Sequence, residues 1–267
     1  MEQVVFMETD TQLDSATSFS QYIYQSRRLI TMIGERHEQE WKCTPTSLSV
    51  ADYCKTVLKA NTRCKIMLEY NKGDNPVHIG SHAIREVYKV ATGMGKTGSI
   101  IPFDTRAFFL GVEGQADLYG SGYAKYKSWE SVGMTFIEPF YQRIREDEKL
   151  FKVSDQYDPS VKNYLENVYV SDMEKKFRYI AGMFGRAPAA EIHQALKDAW
   201  KKVADFFILR ALLRNDNTSE YIVIMGEAHH TNLAGVLKSI AVQLNQQSGS
   251  PKKCVRLYET YRLEKEI

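Results

Sequence analysis

Short apolar runs alternate with stretches of helical period along most of the chain. Leu29-Ile30-Thr31-Met32-Ile33, ending at Gly34, reads as a strand. From about Ser49, residues Val50, Cys54, Val57 and Leu58 share one helical face, and Ser49 with Asp52 has capping-box spacing. Ile66-Met67-Leu68-Glu69 is the next strand, followed by a turn-rich stretch from Asn71 to Pro76, a short helix over Ala83 to Val90 and a third strand over Ile100 to Asp104. From Arg106 to about Tyr126 the chain is rich in glycine and aromatics and has no clean period. Helical patterns then dominate to about Leu213. They include a start at Asp158-Pro159, with Val161, Tyr164, Leu165 and Val168 on one face, and a stripe of Ile192, Leu196, Trp200, Val203 and Phe207. Sheet-like sequence resumes at Tyr221 to Met225, a helix carries Leu233, Val236, Leu237, Ile240 and Leu244, and Cys254 to Tyr258 reads as a last strand. This order predicts an α/β fold: a mostly parallel central sheet flanked by helices, one domain over residues 1–267, with a mainly helical insertion or lid at 107–215.

Composition narrows the setting. The 35 basic and 33 acidic residues leave a net charge of +2, which gives no electrostatic reason to expect a nucleic-acid partner. No apolar run approaches the ~20 residues of a membrane helix, so no membrane span is expected. The opening MEQVVFMETD carries Glu2, Glu8 and Asp10 where a secretory signal carries positive charge. Cys43, Cys54, Cys64 and Cys254 form no CxxC pair, and a chain of 267 residues buries a full core without staples. Free thiols in a reducing, intracellular compartment are the expectation.

Chemistry concentrates at the strand ends. Two strands run into nearly the same tetrapeptide, Gly34-Glu35-Arg36-His37 and Gly226-Glu227-Ala228-His229, the second followed by His230. While the chain stays extended, residues two apart point the same way, so Glu35 is expected to converge with His37, and Glu227 with His229. Glu69 closes another strand, and Asp104 and Arg106, again two apart, close a fourth. In open α/β sheets the ligand crevice lies at the carboxyl ends of the strands. One crevice is therefore expected to collect Glu35, His37, Glu69, Asp104, Arg106, Glu227, His229 and His230.

The order strand–GExH, strand–Glu, strand–Asp-x-Arg, helical insertion, strand–GExH resembles the erythromycin esterase/ChaN-like and TraB/TIKI-like superfamily. That group has an α/β core with two Gly-x-x-His motifs facing one cleft, and includes ester and peptide hydrolases and a haem-binding lipoprotein. The resemblance covers about 100 residues of core. It implies that Glu35, His37, Glu69, Arg106, Glu227 and His229 are the site residues and that the substrate is a small molecule or peptide. The first motif has the ChaN-like GExH spacing, not the longer GExxH of erythromycin esterases.

Such a set supports hydrolysis of an ester or amide bond. His37 acts as general base on water, oriented by Glu35 or Glu69, Arg106 stabilises an oxyanion, and His229 protonates the leaving group. Asp104 and His230 contact substrate. The alternative is a divalent metal (Mn, Zn or Co) held by His37, Glu69 and His229. Two non-catalytic readings stay open beside these: a cleft that binds haem or another anion without turnover, and a structural or interaction protein with a relict site. Ala91-Thr92-Gly93-Met94-Gly95-Lys96-Thr97 looks like a phosphate-binding loop, but a helix precedes it and a strand follows, the reverse of what that motif needs. It reads as a helix-to-strand loop. His78 and His82 flank a turn and do not make a helical metal pair, and His193, beside Glu191, reads as a surface residue. Tyr119 to Tyr126 reads either as a flap over the cleft or as an irregular surface loop.

Overall fold

The computed structural model describes residues 3–36, 42–71, 73–74, 81–146, 148–153, 156–248 and 254–263. The chain first forms β1 (Gln3–Leu13), β2 (Ala16–Tyr24), β3 (Arg28–Glu35), α1 (Val50–Ala60), β4 (Cys64–Asn71), α2 (His82–Gly93) and β5 (Ile100–Asp104). A helical stretch follows: α3 (Arg106–Tyr119), α4 (Trp129–Phe136), α5 (Glu138–Glu146), α6 (Glu148–Phe151), α7 (Pro159–Asn163), α8 (Val170–Met183) and α9 (Ala189–Leu212). The chain then adds β6 (Glu220–Gly226), α10 (Glu227–Ile240), β7 (Val242–Ser248) and β8 (Val255–Leu263). These elements make two compact units. One comprises Met1–Glu69, Asn75–Ile101 and Thr218–Ile267, the other Tyr70–Asp74 and Pro102–Asn217.

The first unit is built on a six-stranded sheet in the order β5-β4-β6-β3-β2-β7. β3, β6 and β4 run parallel, and β2 runs antiparallel between β3 and β7. The fold is α/β with a mostly parallel sheet, as the apolar runs predict. Ile30, Met32, Ile33, Ile66, Leu68, Ile222, Val223 and Ile224 are fully buried, because helices on both faces leave these strands no solvent side. The crossover β3–α1–β4 moves one way along the sheet and β6–α10–β7 the other. Right-handed crossovers then put α1 on one face and α10 on the opposite one. α10 packs on β3, β2 and β6, and α1 packs on α2. The capping box at α1 is present: the Ser49 hydroxyl accepts the Asp52 N–H at 3.0 Å and donates to the Asp52 carboxylate at 2.7 Å.

Three strands escape the apolar pattern. β1 pairs antiparallel with β8 in a separate two-stranded sheet, so the last strand does not extend the main one. β2, reading ATSFSQYIY, and β7, reading VQLNQQS, are too polar to announce themselves as sheet. In β2 the polar residues Ser18, Ser20 and Gln21 are nonetheless buried, because this strand lies inside the sheet.

The cysteine expectation is corrected for one pair. Cys43 and Cys254 are joined in a disulfide across 211 positions, with Cα atoms 5.8 Å apart, while Cys54 and Cys64 are free and buried. Such a separation leaves no spacing motif to read; only the fold brings the two together. The loop over Ala91 to Thr97 is a helix terminus, as its context implies. The N–H groups of Met94, Gly95 and Lys96 bond back to the carbonyls of Val90, Thr92 and Ala91, and the Lys96 ammonium bonds the Leu58 carbonyl.

The second unit packs helices around an aromatic core of Phe109, Phe136, Phe140, Phe151, Phe177, Trp200 and Phe206. The Trp200 indole N–H donates to the Phe136 carbonyl at 2.9 Å, and Phe140 stacks on Phe177 at 4.2 Å. α3 lacks a clean period because it breaks at Gly111, whose φ of 71° suits glycine. The Tyr119–Tyr126 stretch is an anchored turn: Lys125 pairs with Asp117 at 2.5 Å, and the Tyr126 hydroxyl donates to Asp117 at 2.8 Å. His193 is not a surface residue. It is half-buried, stacked on Tyr123 at 3.8 Å, with Nε2 at 2.6 Å from the Leu118 carbonyl oxygen.

Candidate active site at the strand ends

β3 and β6 are neighbours whose following connections leave in opposite directions. That is the switch point where α/β sheets place a ligand crevice. Glu35 stands opposite Gly226, and Leu68 of β4 stands opposite Ile224, so Glu69 lies one step short of Glu35. The pleat therefore gives the two carboxylates opposite faces of the sheet. Their partners agree. Glu35, 2% exposed, accepts a hydrogen bond at 2.6 Å from Ser81, the N-cap of α2. Glu69 meets the start of α10: one oxygen accepts the Gly226 N–H at 2.7 Å, and the other lies 3.4 Å from His229 Nε2. The Glu69 and His229 side chains are 7% and 4% exposed.

The second motif does not have the extended geometry expected of it. α10 begins at Glu227, directly after Gly226. Residues two apart on a helix point about 200° apart, so Glu227 and His229 diverge. Glu227 is half-exposed, with Arg36 Nε at 3.4 Å, while His229 is buried beside Glu69. His230 turns to β2, where its Nε2 lies 3.0 Å from the Ser20 hydroxyl. Burial without a charge partner pushes this imidazole down to about 4, so His230 is neutral at physiological pH. A Cβ on Gly34 would lie 2.0 Å from the Ser18 hydroxyl and 3.3 Å from the His230 Cβ. Glycine is needed there so that α10 can lie against the sheet.

His37, expected to converge with Glu35, lies outside the described residues, as does His78. Asp104 and Arg106 belong to the second unit, where they hold each other. Arg106 donates from Nε to one Asp104 oxygen at 2.8 Å and from Nη2 to the other at 2.7 Å. Gln115 also donates to Asp104 at 2.8 Å, and the guanidinium lies 4.6 Å from the centre of the Tyr119 ring. Among the expected set, the structure thus brings together Glu69 with His229, Asp104 with Arg106, and Glu227 with Arg36. Ser81 and Ser20 were not among the expected residues. Ser81 was findable, since it precedes the apolar face of α2 as an N-cap does. Ser20 sits in a strand the pattern hides.

Among the described residues, no three His, Cys, Asp or Glu side chains are grouped to hold a metal. A cavity of about 360 Å³ lies in the same unit, lined by Asp14, Ser15, Ser49, Asp52, His82 and Glu86. No family model, curated protein or solved structure matches the chain. No helix among the described residues is long and apolar enough to cross a membrane.

Proposed function

We propose that the chain is a hydrolase-like protein that cleaves an ester or amide bond, of the kind the superfamily resemblance implies, with His229 as general base and Glu69 as its orienting carboxylate. The observation that carries this reading is the buried Glu69–His229 pair at the β3/β6 switch point, with Glu69 fixed by the Gly226 N–H. Burying an acid and an imidazole costs several kcal/mol that packing alone gives no reason to spend, and such pairs concentrate at functional sites. With Nε2 turned to Glu69, Nδ1 is the nitrogen that takes a proton from water, and the carboxylate stabilises the imidazolium that results. The base role expected of His37 passes to His229, because His229 has the carboxylate; His37 is left the acid role at the leaving group. The Cys43–Cys254 bond favours an oxidising compartment over an intracellular one.

One distance favours a second reading. At 3.4 Å, Glu69 and His229 are farther apart than a charge-assisted hydrogen bond of about 2.7–2.9 Å. Two ligands of one tetrahedral ion, each about 2.0–2.1 Å from it, would stand roughly 3.3 Å apart. Glu69 and His229, with His37 as third ligand, would hold such an ion, which supplies a water acidic enough to ionise near neutral pH.

The test is turnover of a panel of p-nitrophenyl esters and aminoacyl anilides by the wild type, His229→Gln and Glu69→Gln, beside metal content by mass spectrometry. Both variants should keep their circular dichroism and lose about 10²–10⁴-fold in kcat. Near-stoichiometric Mn, Zn or Co in the wild type, lost in His229→Gln, selects the metal reading, and no metal in either selects the base. Turnover unchanged in both folded variants would sink the proposal.

A further inference from the structure

A second group of reactive side chains lies wholly within the helical unit. A cavity of about 280 Å³ is lined by Tyr164, Val168, Tyr169, Asp172, Lys175 and Lys202, among others. Its wall includes the π-helical turn Tyr164–Tyr169 between α7 and α8. Such turns are rare and frequent at functional sites, because the widened backbone re-aims side chains that a regular helix would hold elsewhere. Lys202, on α9, forms an ion pair with Asp172 and lies 5.1 Å from the centre of the Tyr169 ring. Its side chain is only 21% exposed, whereas an ordinary lysine stands in water. Asp205, one turn further along α9, is fully buried. Partial burial lowers the Lys202 pKa from the ordinary lysine value, with Asp205 opposing, so more of the amine is uncharged than at a surface lysine.

We propose that Lys202 is a nucleophilic amine that captures a small oxo acid in this cavity as a Schiff base. The uncharged amine attacks the carbonyl carbon, a C–N bond forms, and the π electron pair moves onto oxygen. The surplus proton on nitrogen passes to the Asp172 carboxylate and from there to the oxygen, giving a carbinolamine. That hydroxyl then leaves as water, with the second nitrogen proton returned through Asp172. One amine and one carbonyl compound thus give one imine and one water, with no oxidation. Lys175 supplies a second ammonium for the carboxylate of the oxo acid, and Tyr164, Tyr169 and Val168 line the space for its carbon chain.

The probe is pyruvate with sodium cyanoborohydride, applied to the full chain at pH 7.5, with labelling of every lysine followed by peptide mass spectrometry. Lys202 should be reductively alkylated about tenfold faster than the median lysine, as expected of a desolvated amine. Lys175→Gln should slow labelling of Lys202 by pyruvate but not by acetone. Labelling of Lys202 no faster than that of the surface lysines overturns the proposal, and so does equal labelling by the two carbonyl compounds. Lys202→Arg should remove one adduct from the fully labelled chain. Should that variant misfold, the site-resolved rates in the wild type decide alone.

Discussion

Reduction of the Cys43–Cys254 bond is the perturbation with the largest expected effect on the first unit. The bond ties the segment that follows β3 to the start of β8, across 211 positions. In the chain-entropy account, cross-linking a loop of that length removes about 18 cal/mol/K from the unfolded ensemble, or about 5 kcal/mol at 25 °C. That figure rivals the total stability of many domains. Part of the local geometry survives reduction, since the Cys43 N–H donates to Asp14 at 2.8 Å whatever the state of its sulfur. The first assay is a thiol count. Burial pushes the Cys54 and Cys64 thiols well above the ordinary cysteine value, so neither should react with a disulfide reagent in the native protein. Denaturation should expose two thiols, and denaturation after reduction four. Urea unfolding with and without a phosphine reductant then measures the loss, expected at about 3–5 kcal/mol. Four reactive thiols in air-purified, unreduced protein would refute the reasoning and restore the reducing compartment expected from cysteine spacing. Equal urea midpoints in the two states would refute the magnitude.

Two further predictions concern the packing of α10 on the sheet. Gly34→Ala places a methyl group 2.0 Å from the Ser18 hydroxyl and should cost about 1–3 kcal/mol in chemical unfolding. Ser18→Ala in the same chain should recover more than half of that, and a Gly34→Ala variant as stable as the wild type would mean that α10 does not lie where it is drawn. The second is a pH effect. His230 titrates near 4 when folded and near its ordinary 6.5 when unfolded, so the unfolded chain takes up the proton first as pH falls. Stability present above pH 6.5 is therefore lost on the way down to 4. Between pH 7.5 and 5 the wild type should lose about 2 kcal/mol more than His230→Gln. Parallel urea titrations of the two proteins check it, and equal losses would exclude His230 as the cause.

How legible the molecule was follows from what each segment touches. The runs Leu29–Ile33, Ile66–Leu68 and Tyr221–Met225 are apolar throughout because both faces of their strands are covered, and that made the α/β sheet readable. β2 was not readable. Its Ser18, Ser20 and Gln21 are buried because each meets a specific neighbour: the space over Gly34, His230 and Thr31. Polarity in a strand is evidence of exposure only when nothing polar lies across from it.

The candidate site divides in the same way. That Glu35, Glu69 and His229 stand at strand ends follows from local pattern, since an apolar run must stop where its cover stops. Their partnerships do not. An extended reading of Gly226 to His229 pairs His229 with Glu227, two positions away. α10 begins one residue earlier than that reading allows, and His229 meets Glu69, 160 positions away, instead. The pleat then assigns Glu35 to the other face and to Ser81. Asp104 and Arg106, close in sequence, stay together because a two-residue span at a strand-to-helix corner lets a guanidinium fold back on a carboxylate. Short-range periodicity thus encodes which elements form and which residues stand at their ends. Register, pleat and helix start are settled only when distant strands pair, and these choose which acid each histidine meets and which cysteines can join.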